Sequence, residues 1–264
     1  MVSSSEAFFR AHPVFTHEEY ARSRESASAR TVDSLLRKHV ASGRIARVRR
    51  GLYVAPPLGT APETVDPFLV GTKATPDAVV SHHAALQFHG RAYSMWNQVS
   101  FLTTHSVRTF RFGPVEYVAV RPPDSLVELP EMGGGVERVR SGGGEVRVCS
   151  LERAMVDVLH SPARAGGWEE IFRSLAMVEF FALEQVIPYT LAHDSALTAA
   201  RVGYFLSVNQ ERLFVEQAHL DELAMHAPNQ PRYFDASRAQ GRLVHPWNLI
   251  VPEWVLERRW EEVV

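Results

Sequence analysis

The sequence predicts an α+β protein with a small N-terminal part and a larger second part, which has an antiparallel sheet and a helical C-terminal half. Three observations support this prediction. Short amphipathic helical patterns fill the first 42 residues and lead into a basic segment of alternating polarity. Further alternating segments lie between residues 98 and 149. Helical patterns dominate from Ser150 almost to the end, so we expect an N-terminal domain at residues 1–56, a linker at 57–74 and a second domain at 75–264.

Charge is distributed unevenly along the chain. The 264 residues carry a formal net charge of −2, which gives no overall attraction to nucleic acid or membrane. Residues 1–55, however, contain ten arginine or lysine residues and five acidic residues, a local balance of +5 that leaves −7 for the remainder. Such asymmetry indicates a basic binding module attached to a body with another role.

Cysteine content and hydropathy exclude several classes. Cys149 is the only cysteine, which excludes an internal disulfide framework and any zinc site built on several cysteines. No apolar run approaches the length that a transmembrane helix requires. We therefore expect a cytoplasmic protein with no membrane partner.

The first 42 residues contain three helical patterns. The first spans Ser3 to His12 and is stopped by Pro13, which cannot continue a helix. The second begins at Thr16, because Thr16 and Glu19 have the spacing of a capping box. The third runs from Ser28 to about Ser42 and presents one apolar face, made of Val32, Leu35, Leu36 and Val40.

A basic hairpin follows the third helix in the segment GRIARVRRGLY, residues 43–53. The period changes from helical to alternating, and Arg49, Arg50 and Gly51 form a turn between two short strands. Three short helices followed by such a hairpin are typical of a winged helix-turn-helix, whose third helix enters the major groove of DNA. The alternative is that the hairpin arginines only protect a solvated strand edge.

The third helix and the hairpin supply the candidate DNA-binding residues. We expect residues near the helix N-terminus to face base edges and the neighbouring cations to contact phosphates. The base-facing set is Ser28, Arg30, Thr31 and Ser34, and the phosphate-facing set is Arg37, Lys38, Arg47, Arg49 and Arg50. Asp33 would repel phosphate here unless it pairs with Arg30 or Arg37 or accepts from a cytosine amino group.

The second part follows a segment rich in proline, glycine and threonine at residues 56–66. Thr75, Pro76 and Asp77 predict a helix start, and either that helix or a second one capped by Ser81 ends at Gly90. Strands are predicted at QVSFLTT, RTFRF, VEYVAV, VERVR and EVRVC, and helices at SLERAMVDVLH, WEEIFRSLAMVEF, LEQVIPYTLAH, SALTAARVGYFLS and HLDELAMH. The glycine triplets at 133–135 and 142–144 predict hairpin turns, because neither is followed by the Lys-Ser/Thr of a phosphate-binding loop.

A second basic patch is a candidate extension of the DNA-binding surface. Arg138 and Arg140 share one face of the predicted strand VERVR, and Arg147 on the returning strand is placed to join them. The alternative is an ordinary solvent-exposed sheet face. A patch that binds nucleic acid would extend the contact surface beyond the hairpin.

Signals for catalysis and metal binding are weak. His82 and His89 lie seven residues apart, about 10 Å along a helix, which is too far to share one ion. A metal-dependent nuclease stays open as an alternative, although no lysine follows residue 73 to complete such a site. Its acidic residues would be Asp124, Glu128, Glu152 and Asp157. We expect no metal, no cofactor and no enzymatic activity.

The order and spacing of several blocks resemble the AbiE-type (AbiEi family) antitoxins of type IV toxin–antitoxin systems. The segment RIARVRRGLYVAPP looks like the winged-helix end of that family. SHHAALQFHG is similar to its Ser-x-x-x-Ala-Leu-x-x-His-Gly segment, at Ser81, Ala85, Leu86, His89 and Gly90. SLERAMVDVLHSPARAGGWEE resembles its Leu-Glu-Arg-Ala-x-x-Asp-x-Leu block and the following Gly-Gly, at Leu151, Glu152, Arg153, Ala154, Asp157, Leu159, Gly166 and Gly167. ARVGYFL resembles a later Arg-Leu-Gly-x-x-Leu element at Arg201, Gly203 and Leu206, with Val202 replacing the leucine.

The resemblance implies an N-terminal domain that binds inverted repeats in double-stranded promoter DNA, with self-association on the DNA, and so represses its own operon. It also implies a C-terminal domain that opposes a nucleotidyltransferase toxin encoded beside it, without forming a stable complex. We carry no catalytic role over to these motifs. Two other classes remain as alternatives: a nuclease guided by the winged helix, and a protein-interaction module whose winged helix docks a partner.

Overall fold

The computed structural model of the protein describes residues 4–25 and 27–258. Its helices are α1 Ser4–Ala11, α2 His17–Arg22, α3 Ala29–Ala41, α4 Pro67–Thr72, α5 His82–Phe88, α6 Asp124–Val127, α7 Leu151–His160, α8 Trp168–Ala176, α9 Leu183–Ala192, α10 Ala196–Val208, α11 Gln217–Met225 and α12 Glu253–Leu256. Its strands are β1 Val14–Thr16, β2 Ala46–Arg49, β3 Leu52–Val54, β4 Val79–Val80, β5 Gln98–Leu102, β6 Phe110–Phe112, β7 Val115–Val120, β8 Val136–Ser141, β9 Gly144–Cys149, β10 Arg232–Tyr233, β11 Gly241–Val244 and β12 Leu249–Pro252.

The chain forms two compact units. Unit 1 contains residues 1–80, 96–121 and 136–148, and unit 2 contains residues 81–95, 122–135 and 149–264. The predicted α+β class is confirmed, because helices and several separate sheets are both present. This division differs from the sequence-based boundaries, since the strands expected in the second domain lie in unit 1 with the N-terminal helices.

The N-terminal part of unit 1 is organised around an aromatic core. Phe9, Phe15 and Tyr20 are at most 1% exposed and pack with Val32 and Leu36 of α3. Each such side chain contributes about 1.5–3 kcal/mol by burial. A three-stranded sheet with the order β1-β3-β2 closes this core. The short strand β1, which the sequence did not predict, pairs with β3 and so joins the start of the chain to the hairpin.

Local capping interactions begin α2 and α3 where the sequence predicts. The hydroxyl of Thr16 accepts from the backbone N–H of Glu19 at 3.2 Å, and the Glu19 carboxylate accepts from the Thr16 N–H at 2.8 Å. The hydroxyl of Ser28 accepts from the Thr31 N–H at 3.2 Å. These side chains satisfy helix donors that would otherwise have no partner.

Two expectations for residues 57–77 differ from the structure. The predicted linker contains α4, which begins with Pro67 after the cap of Asp66 and buries Leu69 and Val70. The helix start predicted near Asp77 is wrong, because a turn and the short strand β4 follow, whereas the alternative start after Ser81 is confirmed by α5. The Asp77 carboxylate accepts from the backbone N–H and the hydroxyl of Thr104, each at 2.7 Å, so it is engaged by a distant segment instead of capping a helix.

Unit 1 also contains a six-stranded sheet with the order β6-β7-β5-β4-β9-β8. All five strands predicted from sequence are present, but the sheet is mixed, whereas the sequence predicted an antiparallel one. Strands β5 and β7 pair in parallel, as do β4 and β9. In both pairs other elements intervene along the chain, which provides the long connection that parallel neighbours need.

Unit 2 contains the five helices predicted after Ser150, here α7 to α11. The expectation of helix almost to the end is wrong, because β10, β11 and β12 form a small sheet with β12 in the centre. Trp247, between β11 and β12, is 2% exposed and packs against Gly203 of α10. The alternating pattern in this segment is short and is interrupted by proline, so the sequence alone did not predict these strands.

Candidate nucleic-acid interface

The six predicted residues at the start of α3 and along it are all exposed. The hydroxyls of Ser28 and Thr31 lie 2.9 Å apart and are used in the helix cap. Arg30 and Ser34 make no hydrogen bond within the described residues and leave their side chains available on the same face. Arg37 reaches back along the helix and donates from Nε to the Asp33 carbonyl at 3.3 Å. Lys38, the sixth of these residues, is exposed on the same helix.

Asp33 has a different partner from those considered in the sequence. Its Oδ1 lies 2.8 Å from Nε2 of His17, the first residue of α2. An ionised carboxylate only accepts hydrogen bonds, so this imidazole nitrogen carries the proton. His17 therefore donates to Asp33, the carboxylate on the exposed surface of α3, where the other predicted side chains are cations and hydroxyls.

The hairpin β2–β3 presents three arginines. Gly51, with a φ of 82°, takes the left-handed conformation that the turn requires and that favours glycine. Arg47 and Arg50 are exposed, and Nε of Arg47 donates to the Arg49 carbonyl at 3.3 Å. The Arg49 guanidinium lies 5.3 Å from the ring centroid of Phe110 on β6, a cation–π distance.

One nitrogen of Arg49 lacks an acceptor. Nη1 is buried and has no hydrogen-bond partner among the described residues. A buried donor without an acceptor costs about 1–3 kcal/mol.

The hairpin β8–β9 carries the second predicted patch. Nη1 of Arg138 donates to Glu145 at 3.2 Å on the exposed strand face. Nη2 of Arg147 donates to the Pro76 carbonyl at 2.6 Å. Arg140 is exposed and has no hydrogen bond or ion pair within the described chain. The three arginines therefore differ in how much of their charge is available.

The two hairpins line one basic cleft of about 1130 Å³ in unit 1. It is lined by eight arginine or lysine residues and four carboxylates, a formal balance of +4. The predicted residues that line it are Arg47, Arg49, Arg50, Arg138, Arg140 and Arg147. The predicted residues of α3 are not in its lining, although His17 and Asp33 are. The structure thus brings together the hairpin arginines and the second patch, while the rest of α3 presents a separate exposed face.

Sequence patterns did not indicate two other cations of the cleft, Arg22 and Lys73. Lys73 forms an ion pair with Glu19 of the capping box. Burial alone would raise the pKa of Glu19, but the hydrogen bonds from Lys73 and from the Thr16 backbone lower it, so the carboxylate is ionised at neutral pH. Fifty-four residues separate this pair in sequence, and only the packing of α4 brings them together.

The histidines of SHHAALQFHG occupy separate positions in unit 2. His82 lies 3.0 Å from the Ser81 hydroxyl, His83 lies 3.0 Å from Glu170, and His89 Nε2 lies 2.8 Å from the Cys149 carbonyl oxygen. In residues 4–25 and 27–258, no group of three or more histidine, cysteine, aspartate or glutamate side chains is arranged to hold a metal ion.

Two of the acidic residues considered for a nuclease, Glu152 and Asp157, have partners within the described residues. Glu152 accepts from the Ala182 backbone N–H at 3.1 Å. Asp157 is 3% exposed and accepts from the Tyr189 hydroxyl at 2.8 Å. Burial raises the pKa of Asp157, but His193 and the nearby Arg153 outweigh burial and hold that pKa well below its usual range. Asp157 is therefore a buried structural anion.

Both glycine triplets have left-handed residues, but only one forms a hairpin turn. Gly142 and Gly143 turn the chain between β8 and β9 with φ values of 56° and 81°. The triplet at 133–135 is not a hairpin turn, because it precedes β8 and its Gly134 carbonyl accepts from Nη1 of Arg153. The glycines there allow the backbone to approach a buried guanidinium closely.

Comparisons with known proteins bear on the fold. No protein-family model matches the chain, and no curated protein matches it significantly. The crystal structure of the RV2827C protein from Mycobacterium tuberculosis is similar, with a TM-score of 0.58 over 95% of this chain and 90% of that chain, at 14% sequence identity. At that identity the likeness is one of fold. No helix in the described part of the chain is long and apolar enough to cross a bilayer. The chain shares an α+β fold with that mycobacterial protein.

Proposed function

We propose that this protein is a sequence-specific double-stranded DNA-binding protein that represses transcription, and that it acts as an antitoxin of the AbiE type. The observation that carries the DNA-binding proposal is the basic cleft, in which the arginines of two hairpins face one space of about 1130 Å³ next to α3. Cations held in such an arrangement neutralise phosphates and release counterions. In this proposal the N-terminal part of unit 1, with α1 to α3, functions as a winged helix-turn-helix with β2–β3 as its wing.

The available charge supports phosphate binding. Arg47, Arg50 and Arg140 have no carboxylate partner among the described residues, whereas Arg138 pairs with Glu145. The first three arginines are exposed and bring their full charge to a ligand. Each phosphate contact gives a slope of about −0.9 in log affinity against log salt, or about a 3.5-fold loss between 50 and 200 mM salt.

The first test is fluorescence anisotropy with the DNA upstream of the protein's own gene and with a scrambled duplex of the same length. We expect preferential binding to the upstream duplex, with a loss of about 10²-fold or more between 50 and 200 mM salt if four phosphates are contacted. Two copies per inverted repeat would appear in the stoichiometry. Equal, weak and salt-insensitive binding to both duplexes would contradict the proposal and favour a protein-interaction module.

Matched variants locate the contact surface. Arg50→Ala in the hairpin turn and Arg140→Ala in β8 should each reduce the salt slope by about 0.9 and weaken both duplexes alike. Arg232→Ala removes the same charge from an exposed position in unit 2 and serves as the control. A control variant that loses as much affinity as the other two would remove the basic cleft from the proposal. Mg²⁺-dependent cleavage of the duplex would favour the nuclease.

The antitoxin part rests on the resemblance of the blocks in unit 2. It predicts that the full chain, expressed from an unrelated promoter, restores growth of cells that express the neighbouring nucleotidyltransferase, and that the two proteins do not co-purify. Arg50→Ala should retain this protection while losing repression, because the hairpin lies in unit 1. Continued growth arrest with soluble full-length protein present would contradict the antitoxin proposal and leave DNA binding unaffected.

A further inference from the structure

Asp33 lies on the exposed surface of α3 and lines the cleft. Arg30 and Arg37 lie three residues before it and four after it, positions that are adjacent on the helix surface. The Asp33 side chain is 57% exposed. A carboxylate at this position repels DNA phosphates, so its presence on a DNA-binding face calls for a compensating contact.

The carboxylate is held by a second element. His17 contacts Oδ1 at 2.8 Å, and the backbone N–H of His17 donates to the Gly51 carbonyl at 2.8 Å, which ties the imidazole to the turn of the hairpin. The other oxygen, Oδ2, has no hydrogen-bond partner among the described residues. Asp33 therefore presents one free acceptor whose orientation is fixed by α2 and the hairpin.

Major-groove chemistry decides which base this acceptor suits. Guanine and thymine present acceptors there, which repel a carboxylate, whereas cytosine presents the N4 amino donor. Adenine offers an N6 donor but places the N7 acceptor beside it. A carboxylate that only accepts hydrogen bonds is thus best matched by cytosine.

We propose that Asp33, oriented by His17, determines sequence specificity by accepting a hydrogen bond from a cytosine amino group in the major groove. This inference rests on the proposed DNA-binding function and adds to it the base that one residue selects. A merely structural role, in which the pair joins α2 to α3, would affect thermal stability and leave base preference unchanged.

The test is selection from a randomised duplex library with the wild-type chain and three variants. Asp33→Asn keeps an oxygen for His17 and replaces the free acceptor with an NH2 donor, so the preference for cytosine at one position should be lost, by about tenfold, in favour of bases that present an acceptor there. His17→Ala should weaken discrimination at that same position and at no other. Glu18→Gln is the matched control, because Glu18 is another exposed carboxylate of the same cleft.

The control should bind all duplexes more tightly without changing any base preference. The inference is overturned if Asp33→Asn selects the wild-type sequence and only gains affinity, as Glu18→Gln does. It is likewise overturned, together with the proposed function, if the wild-type chain selects no sequence at all. Melting temperatures of the four proteins within a few degrees of one another would exclude unfolding as the cause of a changed preference.

Discussion

Gly203 allows a close approach of Trp247 in unit 2, and its replacement by alanine tests how the C-terminal segment is anchored. A Cβ atom added at Gly203 would lie 2.1 Å from Cζ3 and 2.3 Å from Cη2 of Trp247. Carbon atoms in contact lie about 3.5–4.0 Å apart, so the indole would have to retreat by about 1.5 Å. Trp247 is 2% exposed, and its Nε1 donates to the Ser207 hydroxyl at 3.3 Å, which leaves it little room.

The expected cost follows from two opposing effects. Overpacking a core costs about 1–3 kcal/mol, and a clash with a buried ring is at the upper end of that range. Alanine is favoured over glycine inside a helix by about 1 kcal/mol. Gly203→Ala should therefore lower the free energy of unfolding by about 2 kcal/mol. In a Trp247→Leu background the clash is removed, and the same substitution should become stabilising by up to about 1 kcal/mol.

Urea denaturation of the four proteins, followed by circular dichroism, measures both values and their difference. The coupling energy should be about 3 kcal/mol, well above the few tenths expected for independent sites. If Gly203→Ala costs the same with and without the indole, the close approach to Trp247 is not what requires glycine at this position. Trp247→Leu alone supplies the reference for lost packing, at about 2–4 kcal/mol.

Three further predictions concern titration, buried hydrogen bonds and charge. Burial lowers the pKa of His160 to about 4, so the unfolded chain, with a pKa near 6.5, binds the proton more tightly and stability falls as pH decreases from 6.5 to 4. After allowance for partial solvent screening, His160→Gln should remove about 2 kcal/mol of the difference in unfolding free energy between pH 7 and pH 4.5, measured by urea midpoints. Arg201→Met should cost about 3 kcal/mol or more by the same measurement, because the guanidinium donates to the Leu159, His160 and Phe234 carbonyls, and a smaller loss would show that these carbonyls find other donors. Arg140→Ala should lower the salt slope by about 0.9 without changing the selected sequence, and a changed selection would assign Arg140 to base contact.

The parts of the fold that the sequence predicted are those determined by neighbouring residues. The capping box of Thr16 and Glu19 and the cap of Ser28 use hydrogen bonds over three residues, so a short sequence window contains all the information. Asp77 shows the limit of this reasoning. It has the sequence pattern of a helix start, yet its carboxylate is taken by Thr103 and Thr104, which lie in a distant segment.

The candidate site divides in the same way. The hairpin cations could be named from charge and alternation, because the hairpin is local and its turn contains Gly51. The hairpin arginines line the same cleft as Arg138, Arg140 and Arg147 because of the strand order in a mixed sheet. A local sequence pattern does not predict that strand order. The partner of Asp33 was missed for a similar reason, since His17 is 16 residues away on another helix.

The blocks that resemble AbiE-type antitoxins have different environments in the two units. In unit 1 the corresponding arginines of the hairpin are exposed or line the cleft. In unit 2 most of the matching side chains are buried, including Arg153, Asp157 and Leu206, and Gly203 is covered by an indole. Substitutions in the unit 2 blocks would therefore act chiefly through stability.

This difference determines how the proposed antitoxicity of unit 2 can be tested. Loss of protection in an Asp157 variant would be expected from unfolding alone, since removing a buried anion leaves Arg153 without its charge partner. An informative variant has to change an exposed side chain. Phe180 and Phe214 are 62% and 77% exposed, so alanine at either position leaves the core of unit 2 intact. Protection that survives both changes would direct the search to the polar surface of unit 2, whereas protection lost at normal stability would identify the first contact residue of the antitoxin activity.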